Sequence, residues 1–83
     1  MTSEDTRKQL DKIMFGIPAF KKSTRGRWLY NAMDVNNKKV KVQFDGHNFR
    51  VMVGDLETLI ASTPLSKLPL ANVEKYLIGI LNR

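Results

Sequence analysis

The sequence predicts a single α+β domain, a three-stranded antiparallel sheet in a meander flanked by an N-terminal helix and one or two C-terminal helices. Three observations predict it. Residues 28–53 alternate apolar and polar side chains around two turn signals, Asn36-Asn37 and Asp45-Gly46, as half-buried strands do. The segments before and after repeat their apolar residues at helical spacing. Finally, 83 residues with 42% hydrophobic content provide one modest core, since a chain of this size buries only about 60% of its unfolded surface. The domain is expected to span 1–83, fraying at 1–2 and 82–83, with residues 19–26 as a basic connection.

The first helix is expected over residues 3–15. Thr2 or Ser3 is its N-cap, and Glu4 and Asp5 complement the positive end of its dipole. Leu10, Ile13, Met14 and Ile17 form its apolar stripe. Gly16 and Pro18 stop it, because glycine accepts the left-handed cap and proline cannot continue the ladder.

Asp45-Gly46 suits a two-residue hairpin turn, whose central positions need positive φ. That register sets Val42 opposite Phe49, Val40 opposite Val51 and Lys41 opposite Arg50. A longer loop through Asn48 pairs Phe44 with Phe49 and leaves the faces unchanged. A similar turn at Asn36-Asn37 pairs Met33 with Val40 and Leu29 with Phe44. One face then carries Leu29, Met33, Val35, Val40, Val42, Phe44, Phe49, Val51 and Val53. The other carries Trp28, Tyr30, Ala32, Asp34, Lys39, Lys41, Gln43, Asn48, Arg50 and Met52. Asp55 is expected to cap a short helix through Ala61 that buries Leu56, Leu59 and Ile60. Pro69 opens the last helix, in which Val73, Tyr76, Leu77, Ile80 and Leu81 recur at helical spacing. Leu65, Leu68 and Leu70 close the core between them.

The chain has no cysteine, so disulfides and thiolate metal sites are excluded. It shows neither a signal-peptide-like start nor an apolar run of membrane-spanning length, and it reads as a cytoplasmic protein. Charge is more informative. Residues 21–50 carry Lys21, Lys22, Arg25, Arg27, Lys38, Lys39, Lys41 and Arg50 against Asp34 and Asp45, so the whole excess of +6 falls on this segment. A cluster of this kind is expected where one surface meets an anion.

Nucleic-acid binding is the leading expectation. Trp28 and Tyr30 supply aromatic surfaces beside Lys41 and Arg50, and a sheet so equipped stacks single-stranded bases at roughly 1–3 kcal/mol each. Lys41 opposite Arg50 points the same way, since like charges across a ladder are destabilising without a counterion. Lys21, Lys22, Arg25, Arg27 and Lys39 are the expected phosphate contacts. A small sheet also enters the duplex major groove with Arg and Gln reading base edges. The competing structural expectation buries Trp28 and Tyr30 beneath a helix as a second small core, with the lysines as its solvated fringe.

The order helix, three strands, helix resembles double-stranded-RNA-binding domains in arrangement alone. Where such domains place the basic start of a helix this chain has VGDLETLIAS, which sets it apart from them. Arrangement also resembles that of some sheet-reading DNA-binding domains.

Catalysis, cofactors and metals have little sequence support. The carboxylates lack paired or metal-ligand spacing, no glycine-rich phosphate loop occurs, and His47 is the single histidine. A small basic ribonuclease of toxin type, using His47 and Arg50, is the remote alternative. The nearer one is a protein-interaction regulator of phage or plasmid type. It would dock on a larger host protein through Met52, Leu65, Leu68 and the final helix, which is also a candidate homodimer contact.

Overall fold

The computed structural model describes residues 3–82. Helix α1 (Ser3–Phe15) is followed by β1 (Lys21–Lys22), β2 (Leu29–Met33), β3 (Lys39–Gln43), β4 (Asn48–Val53) and β5 (Thr58–Pro64). A single 3-10 turn (Leu65–Lys67) leads into α2 (Leu70–Leu81). The strands form one antiparallel meander in the order β1-β2-β3-β4-β5. The α+β class therefore holds, with five strands where the sequence suggested three. No helix among the described residues is long and apolar enough to cross a membrane.

Helix α1 has the expected anatomy. Glu4 and Asp5 lie in its first turn and Lys12 in its last, and Leu10 and Met14 are completely buried. The Gly16 N–H donates to Lys12 O and Ile13 O, closing the helix where the sequence placed its stop. The cap expected at Thr2 and the fraying at residues 1–2 and 83 lie outside the described residues. At the end of α2 the Asn82 Nδ2 donates to Ile78 O at 2.9 Å. Pro69 stands just before the first helical residue of α2.

Two of the strands lie where the sequence predicts other elements. The 19–26 connection contains β1, which pairs Lys21 with Asn31 and Lys22 with Tyr30. The helix expected from Asp55 to Ala61 is instead a turn followed by β5, and Leu56, Leu59 and Ile60 are exposed. A seven-residue helix gains few hydrogen bonds for its nucleation cost, whereas Thr58–Pro64 completes the free edge of β4 and its β-branched residues suit a pleated surface.

The hairpin registers also differ. β3 and β4 pair Val42 with Val51 and Gln43 with Arg50, the longer-loop alternative, so Lys41 lies opposite Met52 and not Arg50. Arg7 of α1 props this wide turn open, its Nε donating to Phe44 O at 3.0 Å and its Nη2 to Asp45 O at 3.2 Å and to Gly46 O. Between β2 and β3 the shift is a single residue, and it inverts β2. Tyr30 faces Val42, Ala32 faces Val40, and Asn31 faces Lys41. The cause is a three-residue loop in place of the expected two. Asn37 adopts φ 61°, and the buried Asp34 accepts at Oδ1 from the N–H groups of Asn36 (2.8 Å) and Lys38 (2.9 Å).

Both helices cover one face of the sheet. Leu10 and Met14 of α1, and Val73, Leu77 and Ile80 of α2, share one core with Tyr30, Val40, Val42, Phe44, Phe49 and Val51. The turn before β3 is pinned to the end of α2 by the Val35 N–H donating to Leu81 O at 2.9 Å. The other face of the sheet has no helix over it.

Candidate nucleic-acid interface

Because side chains alternate along a strand, the residues between the core positions project from the open face. Cross-strand registers place them in rows. Lys21, Asn31, Lys41, Met52 and Leu59 form one, and Leu29, Gln43, Arg50 and Ser62 another, with Met33 and Lys39 paired beside them. No strand contributes an acidic side chain. The face is therefore basic and amide-rich, with Leu29, Met33 and Met52 as its apolar floor.

Among the described residues its acids arrive from two turns: in the β3–β4 connection Asp45 Oδ2 accepts from Gln43 Nε2 at 3.2 Å, and two more come from the β4–β5 turn. Gly54 (φ 84°) and Glu57 (φ 50°) bend the chain there. The Gly54 N–H donates to Lys39 O at 2.8 Å and the Glu57 N–H to Gly54 O at 3.1 Å. The bend carries Glu57 to Lys41, whose Nζ donates to Oε1 at 2.8 Å, and sets Asp55 3.6 Å from the Lys39 ammonium. The hydrogen bond from Lys41, then its charge, hold the Glu57 carboxyl below the usual carboxylate range, with a smaller contribution from Lys39. The Lys39–Asp55 pair is highly exposed and contributes little to stability. By contrast, Lys21, Lys22 and Arg50 have no ion-pair partner among the described residues.

Two shallow grooves meet at Asn31. One, of about 420 Å³, is lined by Lys22, Ser23, Thr24, Arg25, Leu29, Asn31 and Lys41. In it the Arg25 N–H donates to Ser23 Oγ at 3.1 Å, and the Ser23 N–H donates to Leu29 O at 2.8 Å, which shapes the β1–β2 loop over the sheet. The second, of about 450 Å³, is lined by Ala19, Lys21, Asn31, Ala32, Met33 and Lys39. The structure thus gathers Lys21, Lys22, Arg25, Lys39 and Lys41 around one asparagine. Arg50 lies on the same face, two strands farther from β1 than Asn31, between Gln43 and Ser62.

The aromatic pair lies elsewhere. Tyr30 is 1% exposed beneath α1; its ring lies nearly parallel to Phe44 at 6.0 Å and meets Phe15 edge-on at 6.3 Å. Its hydroxyl donates to Asp11 Oδ1, and burial, this hydrogen bond and the Asp11 charge all raise the phenol pKa. Trp28 is half-buried at the rim of the same core, 5.8 Å from the Phe44 ring, and its φ of 61° turns the chain into β2. The Phe44 N–H donates to Trp28 O at 3.0 Å, fixing this uncommon conformation. Arg27 stands over the indole at 5.6 Å. Trp28 and Tyr30 therefore belong to the helix-covered side of one continuous core, and the expected stacking platform is not formed. Among the described residues no strand places an aromatic on the open face.

His47 is exposed in the β3–β4 connection, and its imidazole makes no hydrogen bond or ion pair among the described residues. Its carbonyl accepts from the Leu65 N–H at 2.8 Å, a structural link. The sequence reading missed Asn31, Ser62, Asp55 and Glu57. The first was hidden by the one-residue slip of β2, Asp55 and Glu57 by the helix expected at 55–61, and Ser62 because Ser62-Thr63-Pro64 reads as the break after that helix. The signal available was Asp34 preceding Asn36-Asn37, whose side chain favours a longer Asx-stabilised loop. Compared with protein-family models, with curated proteins and with solved structures, the chain matches none.

Proposed function

We propose that the open face of the sheet and the β1–β2 loop bind nucleic acid, in duplex form. The observation that supports this is the gathering of Lys21, Lys22, Arg25, Lys39 and Lys41 around Asn31, with Gln43 and Arg50 on the same face. Lysines and the loop arginine contact phosphates and set register. Asn31, Gln43 and Arg50 are the residue types that pair bidentately with base edges in the major groove. With no exposed aromatic on this face, stacking of unpaired bases has no platform, and a duplex is favoured over a single strand.

The test is fluorescence anisotropy with duplex and single-stranded oligonucleotides at several salt concentrations. Four to six phosphate contacts give a slope of log affinity against log salt of about −4 to −5. Replacing Lys41 and Arg50 together by alanine is expected to weaken duplex binding tenfold or more, about 1.4 kcal/mol, without loss of folding. Equal affinity in that double variant would move the site off this face.

A protein partner is the second reading, favoured by Leu56, which stands 91% exposed at the tip of the β4–β5 turn. Absence of binding to either oligonucleotide at low salt would leave this reading in place of the first.

A further inference from the structure

The two edges of the sheet are built in opposite ways. At one edge β1 is two residues long and both are lysines, a short charged edge that discourages strand addition. At the other, β5 runs for seven residues, TLIASTP, with no charged side chain. Leu59 and Ile60 on it are 52% and 40% exposed. Its backbone is directed for pairing. The Leu65 N–H bonds to His47 O, so by antiparallel alternation Ala61 and Thr63 face β4 while Ser62 turns its N–H outward. Pro64 falls on the same outward phase, where its missing N–H costs the sheet nothing.

Beside this edge, on the helix side, lies a groove of about 300 Å³ lined by Phe49, Ala61, Thr63, Leu68, Pro69, Asn72, Val73 and Tyr76. None of these side chains is charged at neutral pH. In a chain of net charge +6, β5 and its groove are where two copies meet without bringing like charges together. At β1, Lys21 and Lys22 would face their own counterparts.

We infer that the protein self-associates through β5, two copies joining antiparallel about a two-fold axis normal to the sheet. An isologous contact of this kind is self-complementary. It produces a continuous ten-stranded sheet with both α2 helices on one side, so that the two uncharged grooves meet across the seam. It also leaves both open faces on the same side, although the association stands independently of what those faces bind.

Sedimentation or light scattering over a concentration series from low micromolar to near-millimolar tests this. The mass should rise from 9.5 kDa to twice that value. Ser62→Pro removes the outward N–H without touching an intramolecular bond, and should remain monomeric with an unchanged circular-dichroism spectrum. Ile60→Lys, which places a charge on each side of the seam, provides a second monomeric variant should the proline substitution fail to fold. In the native chain the Ser62 amide should gain hydrogen-exchange protection as concentration rises. A mass of 9.5 kDa throughout the series would overturn the inference, and so would a dimer that survives both substitutions.

Discussion

The two faces of the sheet are written on alternating residues of the same strands, yet they obey different rules. On the covered face Tyr30, Val40, Val42, Phe49 and Val51 are held by both helices, and their volumes are fixed by their neighbours. On the open face Asn31, Lys39, Lys41, Gln43 and Arg50 lie outside the core, and Lys39, Lys41 and Gln43 are held by exposed polar contacts to Asp55, Glu57 and Asp45. Adjacent substitutions should therefore report on different properties. Phe44→Ala, which empties a fully buried position whose ring centroid lies 5.8 Å from that of Trp28 and 6.0 Å from that of Tyr30, is expected to cost about 3–5 kcal/mol of stability in urea unfolding. Gln43→Ala, one residue away, should stay within about 0.5 kcal/mol of the native chain. Comparable losses from the two would erase the distinction between the faces.

The next largest effect lies where the covered side reaches the hairpin. Arg7→Ala removes charge-assisted hydrogen bonds to three carbonyls of the β3–β4 turn and should cost about 2 kcal/mol. Amide exchange should rise around Asp45 and Gly46 before it rises in the strands. The Lys41 and Arg50 double substitution comes third, and it should act on binding alone.

Why the covered face was only partly legible follows from β2. Strands β3 and β4 alternate unambiguously, KVKVQ and NFRVMV, and the sequence assigns their faces correctly even though a two-residue turn between them is two residues too short, since a shift of two leaves the faces unchanged. In LYNAM both phases are plausible, since Leu29 and Met33 are as apolar as Tyr30 and Ala32. Its face therefore depended entirely on the loop, and one extra loop residue inverted it. Strand β5 was hidden for a different reason. Asp55, Leu56, Leu59 and Ile60 have helical spacing, and only the unpaired edge of β4, a tertiary feature, decides for a strand. The concentration of positive charge was legible because it needs no register. The company it keeps, Asn31 and not Trp28, was not.

Tyr30 gives a smaller test of the same boundary. Tyr30→Phe deletes the hydroxyl that donates to Asp11 and should cost about 1 kcal/mol at neutral pH. Because burial, the hydrogen bond and the Asp11 charge raise the phenol pKa in the folded state, folding favours the neutral form. The associated stability is fully present below the unfolded tyrosine value of about 10, and is lost as pH rises from there towards the folded value. Native protein should lose stability in that alkaline window more steeply than Tyr30→Phe. Equal slopes would mean that the ring titrates as though it were on the open face.

The smallest effect probes the open face against itself. Glu57 occupies the ammonium of Lys41 much as a phosphate would, so in the proposed complex an incoming duplex would have to displace it. Glu57→Gln removes that competitor and should tighten duplex binding on the order of twofold, since exposed pairs are weak. Its effect should shrink as salt screens both interactions. Acid supplies the complementary test. The Glu57 carboxyl is held below its usual range, so its pairing with Lys41 is present above the ordinary glutamate pKa and is lost only as pH falls through the lowered folded value. Around neutrality the difference in affinity between native chain and Glu57→Gln should therefore be independent of pH. It should close only under acidic conditions, when the native carboxylate is itself protonated. If Glu57→Gln left affinity unchanged while Lys41→Ala weakened it, the lysine would reach phosphate without leaving the turn, and the β4–β5 turn would be a neighbour of the interface and not a competitor for it.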